Sequence, residues 1–252
     1  MSVPRSKPTT KLSRHTADAI YYGDSDLVQD LLGKATFTEV FMKQTFGRSF
    51  SVPELRMVEA ILVALMEHGM TPSAIAARMV YSSSPENLQA GVAAGLLAVG
   101  SRFVGTMEEA GVLLGEIVSE KKTIVAIAEE LRTTRNLLPG FGHHLHKPDD
   151  PRAKRLIALS RELGIAGKYV DTLLQLSVQL DIARKKHLTI NTTGAIAAIL
   201  GDMNVAPSLM RGFAILARAA GLISHLSEEQ REPSGRFIWD LVDSSMERKP
   251  QN

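Results

Sequence analysis

The chain has 252 residues, 44% of them apolar and 22% charged, a composition of packed domains rather than of disordered or fibrous chains. It contains no cysteine, so disulfides, thiolate metal sites and a cysteine nucleophile are excluded. Its 29 basic and 27 acidic side chains leave a net charge of +2, too balanced for the electrostatic footprint of a nucleic-acid partner.

No run approaches the roughly 20 consecutive apolar residues of a membrane span. The first seven residues carry positive charge with no apolar stretch behind them, so neither a secretory signal nor a membrane partner is expected. A cytoplasmic protein is the expectation. Residues 1–14, rich in Pro, Ser, Thr and Lys at their start, are expected to be flexible.

From Ser51 onward the punctuation is helical. Ser51 and Glu54 have capping-box spacing, in which each side chain satisfies a backbone N–H that the helix leaves unpaired. Leu55, Val58, Ile61, Leu62 and Leu65 then fall on one helical face. Thr71-Pro72 and Ser84-Pro85 read as cap-then-proline starts, and Thr106 with Glu109 repeats the capping box. Asp150-Pro151 opens a helix carrying Leu156, Ile157 and Leu163 that Gly164 should stop; Pro207 opens another with Leu209, Met210, Phe213, Leu216 and Leu222. By these signals there are about ten helical segments. Only Leu188-Thr189-Ile190 reads as extended. The expected fold class is all-α.

A loop rich in turn formers, residues 138–152, holds three of the seven histidines: His143, His144 and His146. Three readings compete. The histidines could ligate a metal, although no accompanying ligand motif is evident. They could belong to a solvated polar loop. Or a Gly-Phe-Gly turn presents His143 as a proton donor or acceptor, with Arg152 nine residues later as a carboxylate clamp. In that case His144 and His146 should tolerate replacement. His68, after an apolar helix and before Gly69, reads most simply as a capping or core histidine. Arg218, on an otherwise apolar helix, needs an anionic partner, either an internal carboxylate or a ligand.

The order of these pieces resembles the citrate synthase superfamily. His68 comes first, then Pro139-Gly140-Phe141-Gly142-His143 with Asp150-Pro151-Arg152, then Asn191 before a helix, then Ala217-Arg218-Ala219-Ala220-Gly221 with His225. Residues 95–105 and 236–240 resemble the citryl-CoA lyase module at the carboxyl end of ATP-citrate lyase, and the likeness spans about residues 15–240. It implies a large helical domain (15–106 and 191–252), a small one (107–190), and a homodimer or higher homo-oligomer. The implied chemistry is cleavage of citryl-CoA, or of a related 3-hydroxy-3-carboxyacyl-CoA, to acetyl-CoA and oxaloacetate. The coenzyme A thioester is then a substrate, with di- and tricarboxylates as the other small-molecule partners. No metal is implied, and an acyl-CoA ligase could supply the site.

Residue roles follow from the same resemblance. His143 holds the citryl hydroxyl or the oxaloacetate carbonyl, and His68 contacts that oxygen or a neighbouring carboxylate. Arg152, Arg218 and Arg236 clamp carboxylates, Arg236 reaching in from a partner subunit. Asn191 lies beside the substrate, and Lys147 meets CoA phosphates. Two positions depart from the family pattern. Phe103 stands where citrate synthases place a histidine, with the cation of Arg102 beside it. Thr193 stands where the family has the aspartate that handles the acetyl methyl proton. A threonine is no carboxylate base. The departure leaves two alternatives open: a condensing enzyme with another acyl-CoA or 2-oxo acid, or an inactive CoA- or dicarboxylate-binding regulatory subunit.

Overall fold

The structure is a computed structural model, and it describes residues 7–100, 105–133, 138–143 and 145–247. They divide into two compact units, Met1–Glu59 and Ala60–Asn252.

The first unit opens with a feature that the sequence pattern does not announce. Strands β1 (Ser13–His15), β2 (Ile20–Tyr22) and β3 (Ser25–Asp26) form a small antiparallel sheet in the order β1-β2-β3. Extended structure was expected only at Leu188-Thr189-Ile190; strands of two or three residues are too short to show a period of two. Arg14 and Tyr21 face each other across β1 and β2, and the guanidinium lies 3.6 Å from the ring centre. A single π-helical turn, Leu27–Leu31, follows. Helix α1 (Phe37–Phe46) is capped by the Thr36 hydroxyl and stopped by Gly47. Helix α2 (Val52–Met66) starts with the expected capping box. The Ser51 N–H donates to Glu54 Oε2 (2.7 Å) and the Glu54 N–H to Ser51 Oγ (3.4 Å).

The second unit is helical. Helix α3 (Pro72–Ser83) begins at the Thr71 cap with Pro72 in its first turn, as the sequence indicates. Helix α4 (Leu88–Leu97) does not begin at Ser84-Pro85. Ser84 instead ends α3, its hydroxyl donating to Glu86, and the Asn87 N–H closes a turn onto the Ser84 carbonyl. Helix α5 (Thr106–Val118) likewise lacks the expected capping box, because Gly105 takes the cap position and Thr106 Oγ1 pairs with Thr193 Oγ1 at 3.2 Å. Helices α6 (Ile124–Thr133), α7 (Pro151–Glu162) and α8 (Lys168–Arg184) follow. The Asp202 carboxylate accepts the N–H groups of Gly167, Tyr169 and Val170 at the start of α8, a cap supplied from another helix.

Helix α9 (Thr192–Asp202) is the centre of this unit. Residues Ala195, Ile196, Ala197, Ala198, Ile199 and Leu200 are all fully buried. A helix apolar on every side must be covered on every side; α5, α7, α8 and α10 cover it. Helix α10 (Pro207–Arg231) is long and apolar enough by length and composition to cross a membrane. Its Leu222 and Leu226 are instead packed with Ala77 and Tyr81 of α3. Helix α11 (Gly235–Ser245) ends the described chain. The all-α expectation holds.

Candidate active site

The loop before α7 and the start of α9 are laced together by backbone groups. Positive φ at Gly140 and Gly142 turns the chain sharply on both sides of Phe141. The Gly142 N–H then donates to the Thr189 carbonyl (2.7 Å), and the Asn191 N–H to the Gly140 carbonyl (3.1 Å). Phe141 pairs with Ile190 as an isolated antiparallel bridge, so the extended character of residues 188–190 serves the site. The Asn191 side chain caps α9, accepting the Gly194 N–H (3.0 Å) and the Thr193 hydroxyl (2.7 Å), and donates to the Gly142 carbonyl (3.1 Å). At the crossing, a Cβ on Gly194 would lie 2.4 Å from the Gly140 carbonyl oxygen. Only glycine allows this approach.

Asp150 is the electrostatic anchor. Its carboxylate is buried and accepts five hydrogen bonds: from Arg152 N–H, Nε and Nη2, and from Thr192 N–H and Oγ1, at 2.8–3.2 Å. Burial pushes its pKa upward, but the Arg152 and Thr192 hydrogen bonds and the Arg152 charge outweigh that and lower it to about 2. One bonded side of the Arg152 guanidinium is therefore fixed, and its Nη2 is held 3.3 Å from His143 Nε2. The His143 ring is oriented from behind: its Nδ1 accepts the N–H groups of Leu145 (3.1 Å) and His146 (3.0 Å). Nδ1 accepts the two shorter bonds, so we assign the proton of the neutral ring to Nε2. The Arg152 Nη2 contact is then a close approach of two donors, from which an oxygen of a bound ligand can accept.

Three imidazoles converge here. The His143 and His146 ring centres are 4.4 Å apart, and His68 lies 6.1 Å from the first and 6.0 Å from the second. One ring nitrogen from each falls within 4.8 Å of the others. This set matches three-histidine metal sites in ligand type. The Arg152 guanidinium beside His143 opposes a second cation at that point, and the surroundings suit an anion better.

The backbone at His68 is tied to α10 through Glu67. The Glu67 carboxylate accepts the backbone N–H groups of His68 (2.8 Å) and Gly69 (2.5 Å). It also lies 2.9 Å from His225 Nε2. Burial raises the Glu67 pKa, but the His68 backbone bond and the His225 contact lower it overall. His225 Nδ1 in turn accepts from the buried Arg78, which is ion-paired to Glu228 and Glu229. Gly221 lets α10 close on this end of α2, since a Cβ there would lie 2.0 Å from the Met66 carbonyl oxygen.

Arg218 feels the charges of both Glu67 and Arg152. Burial first, and the Arg152 charge after it, lower its pKa despite the opposing pull of Glu67. Its Nη1 is a buried donor with no hydrogen-bond partner among the described residues. Of the two alternatives for Arg218, an internal carboxylate bonded to its guanidinium is not found among them. A buried cationic donor without a partner is costly unless a ligand completes it.

Five of the residues singled out in the sequence therefore meet in one place: His68, His143, Arg152, Arg218 and, through its capping bonds, Asn191. Thr193 sits at the same helix start with its hydroxyl turned to Asn191 and Thr106. Lys147 is exposed on the loop. Arg236 is exposed on α11 and paired with Asp240 (3.0 Å), with no described contact to the histidines. Arg102 and Phe103 lie outside the described residues. Sequence reasoning set His146 aside and named neither Asp150 as the anchor nor Glu67. The i+3 spacing from His143 was the available signal for His146, but a loop has no periodicity to make spacing informative. A cleft of about 340 Å³ along α7, lined in part by Asp149, Asp150, Lys154 and Arg161, includes none of the three histidines.

The model for the citrate synthase C-terminal domain matches residues 11–239. The chain belongs to the citrate synthase family. Within it, a citryl-CoA lyase of Hydrogenobacter thermophilus is 34% identical, and the match covers 98% of this chain and 97% of that one with a TM-score of 0.88. ATP-citrate synthase beta chain protein 1 of Arabidopsis thaliana is 24% identical over 215 residues, 78% of this chain and 35% of that protein. The chain thus spans about a third of the length of the curated relatives it matches. An ATP citrate lyase of Methanosaeta concilii, solved with (3S)-citryl-CoA, is 20% identical and shares the fold, with a TM-score of 0.76 over 100% of this chain and 43% of that one.

Proposed function

We propose that this citrate synthase family member is a carbon–carbon lyase of the citryl-CoA lyase type. It would cleave citryl-CoA, or a related 3-hydroxy-3-carboxyacyl-CoA, to acetyl-CoA and oxaloacetate. The observation that carries the reading is the buried, unpartnered Nη1 of Arg218 in a site that also holds Arg152 and the three imidazoles. Two guanidiniums hold carboxylates in register. His143 Nε2–H donates to the 3-hydroxyl oxygen and strengthens that bond as the oxygen becomes an alkoxide, which is the differential stabilisation that lowers a barrier. Condensation is the same chemistry reversed. The reading needs no metal or bound redox group, and the coenzyme A thioester enters as substrate. The exposed Lys147 on the same loop would meet its phosphates.

The division into a large domain (15–106 and 191–252) and a small one (107–190) belongs to the same reading. A homodimer is part of the proposal, supported by α11. Phe237, Trp239, Leu241 and Val242 are all more than half exposed there, an apolar surface of the kind that marks an interface. Arg236 on that helix would then serve a partner's site. A cytoplasmic setting and a separate acyl-CoA ligase that makes the thioester complete the picture. The hydroxyl at Thr193, engaged by Asn191 and Thr106 in place of a free carboxylate, favours a second reading: a condensing enzyme with a different acyl-CoA or 2-oxo acid.

Mass spectrometry of acyl-CoA products decides between them. Citryl-CoA is incubated with the protein in one arm, and acetyl-CoA with several 2-oxo acids in the other. Release of acetyl-CoA from citryl-CoA is expected. Product only in the second arm selects the condensing enzyme. Binding without product in either leaves a regulatory CoA- or dicarboxylate-binding subunit.

A further inference from the structure

The lyase reading, on which this inference rests, leaves one step without a residue. Cleavage removes a proton from the 3-hydroxyl and must put one on the carbon that becomes the acetyl methyl group. Thr193 can do neither, and the position holds no carboxylate. His143 cannot take the hydroxyl proton in its observed setting. Its Nδ1 lone pair is occupied by two backbone N–H groups, and its Nε2, to which the ring proton is assigned, faces the Arg152 guanidinium.

His146 differs from both of the other imidazoles. Its ring is half-buried, lies 4.4 Å from His143 and 6.0 Å from His68, and no hydrogen bond among the described residues engages its nitrogens. His68, by contrast, is exposed. Imidazole is the side chain that both accepts and releases a proton near neutral pH.

We propose that His146 is the proton-transfer residue of this site, acting once as base and once as acid. The neutral ring takes the 3-hydroxyl proton. The O–H electron pair becomes the second bond of the oxaloacetate carbonyl, and the bond between C3 and the acetyl carbon breaks with its pair moving into the thioester enolate. The His146 imidazolium then gives the same proton to the enolate carbon, forming the methyl group and restoring the neutral ring. Hydroxyl oxygen and departing carbon are attached to one carbon atom, so a single ring reaches both. No other donor or acceptor is needed, and no net proton is taken up or released.

The test uses His146→Gln alone and combined with Thr193→Asp. Turnover of citryl-CoA by His146→Gln should fall by roughly 10²–10⁴-fold, the range of a positioned acid–base group. Oxaloacetate-dependent deuterium uptake into the acetyl-CoA methyl group should fall with it, while oxaloacetate affinity by calorimetry stays within about threefold, which shows an intact site. Adding Thr193→Asp supplies a carboxylate at the start of α9 and should restore part of the exchange. A residue that only shaped the loop would instead lose oxaloacetate affinity together with turnover. Wild-type protein that cleaves citryl-CoA and a His146→Gln variant that matches it in both assays would overturn the assignment of His146 alone. Wild-type protein that does not cleave citryl-CoA overturns the lyase reading itself.

Discussion

Replacing Asp150 by Asn removes one atom's worth of charge and tests how the site is held together. The native carboxylate accepts five hydrogen bonds and its pKa falls from 3.8 to about 2, which corresponds to about 2 kcal/mol of folding stability at neutral pH. Asparagine keeps the shape, but one end of its amide donates where a carboxylate oxygen accepts. An N–H would then point at donors of Arg152 or Thr192. Leaving such groups unmet adds ~1–3 kcal/mol, so the loss should reach about 3–5 kcal/mol, as for a broken buried ion pair. At about 2–4 °C per kcal/mol for a chain of this length, Tm should drop by roughly 6–20 °C. The sign of the pH dependence is fixed as well. A depressed carboxylate stabilises fully above its unfolded pKa and loses that contribution as pH falls through its folded one. The gap between native protein and variant should therefore be constant above about pH 4 and shrink between about pH 4 and pH 2. Thermal unfolding followed by circular dichroism across that range measures it. An Asn variant within about 0.5 kcal/mol of the native protein at pH 7 would refute the anchoring role.

His143→Ala should lower citryl-CoA turnover by roughly 10²–10⁴-fold in a steady-state assay while leaving the unfolding midpoint nearly unchanged; equal activity would remove His143 from the mechanism. Arg218→Lys and Arg152→Lys keep the charge and lose the fork, so both should weaken oxaloacetate binding by calorimetry, and unchanged affinity in both would return them to structural roles. Gly194→Ala sets a methyl group 2.4 Å from the Gly140 carbonyl oxygen; denaturant unfolding should show a loss of about 3 kcal/mol or more, and a loss below about 0.5 would mean the crossing can open freely. Trp239→Glu on the exposed face of α11 should shift sedimentation from dimer to monomer, and an unaltered profile would place the interface elsewhere.

Much of this chain was legible in one dimension, because much of it is local. Thr71-Pro72, Asp150-Pro151 and Ser51 with Glu54 act over three or four residues, and each opens a helix as expected. The order of His68, His143, Arg152 and Arg218 was enough to suggest a family and a site. The local rules failed where a distant partner competed. Thr106 gives up its capping box while its hydroxyl meets Thr193, 87 residues away. Asp202 caps a helix more than 30 residues before it, and no spacing rule reaches that far.

The chemistry divides along the same line. Residue type alone shows that arginine and histidine are the side chains on offer for carboxylates and protons and that position 193 lacks a carboxylate base. Which arginine has one edge already bonded within the chain and which does not is a tertiary fact. Arg152 and Arg218 are alike as amino acids, yet Asp150 occupies one and nothing described is bonded to Nη1 of the other. His146 shows the same limit. In sequence it is one polar residue of a loop, and its proximity to His68, from an element 78 positions earlier, exists only after α2, α10 and the Gly140–Gly194 crossing have packed. Reactivity is set by what surrounds a group within a few ångströms, and in a helical fold most of those neighbours come from elsewhere in the chain.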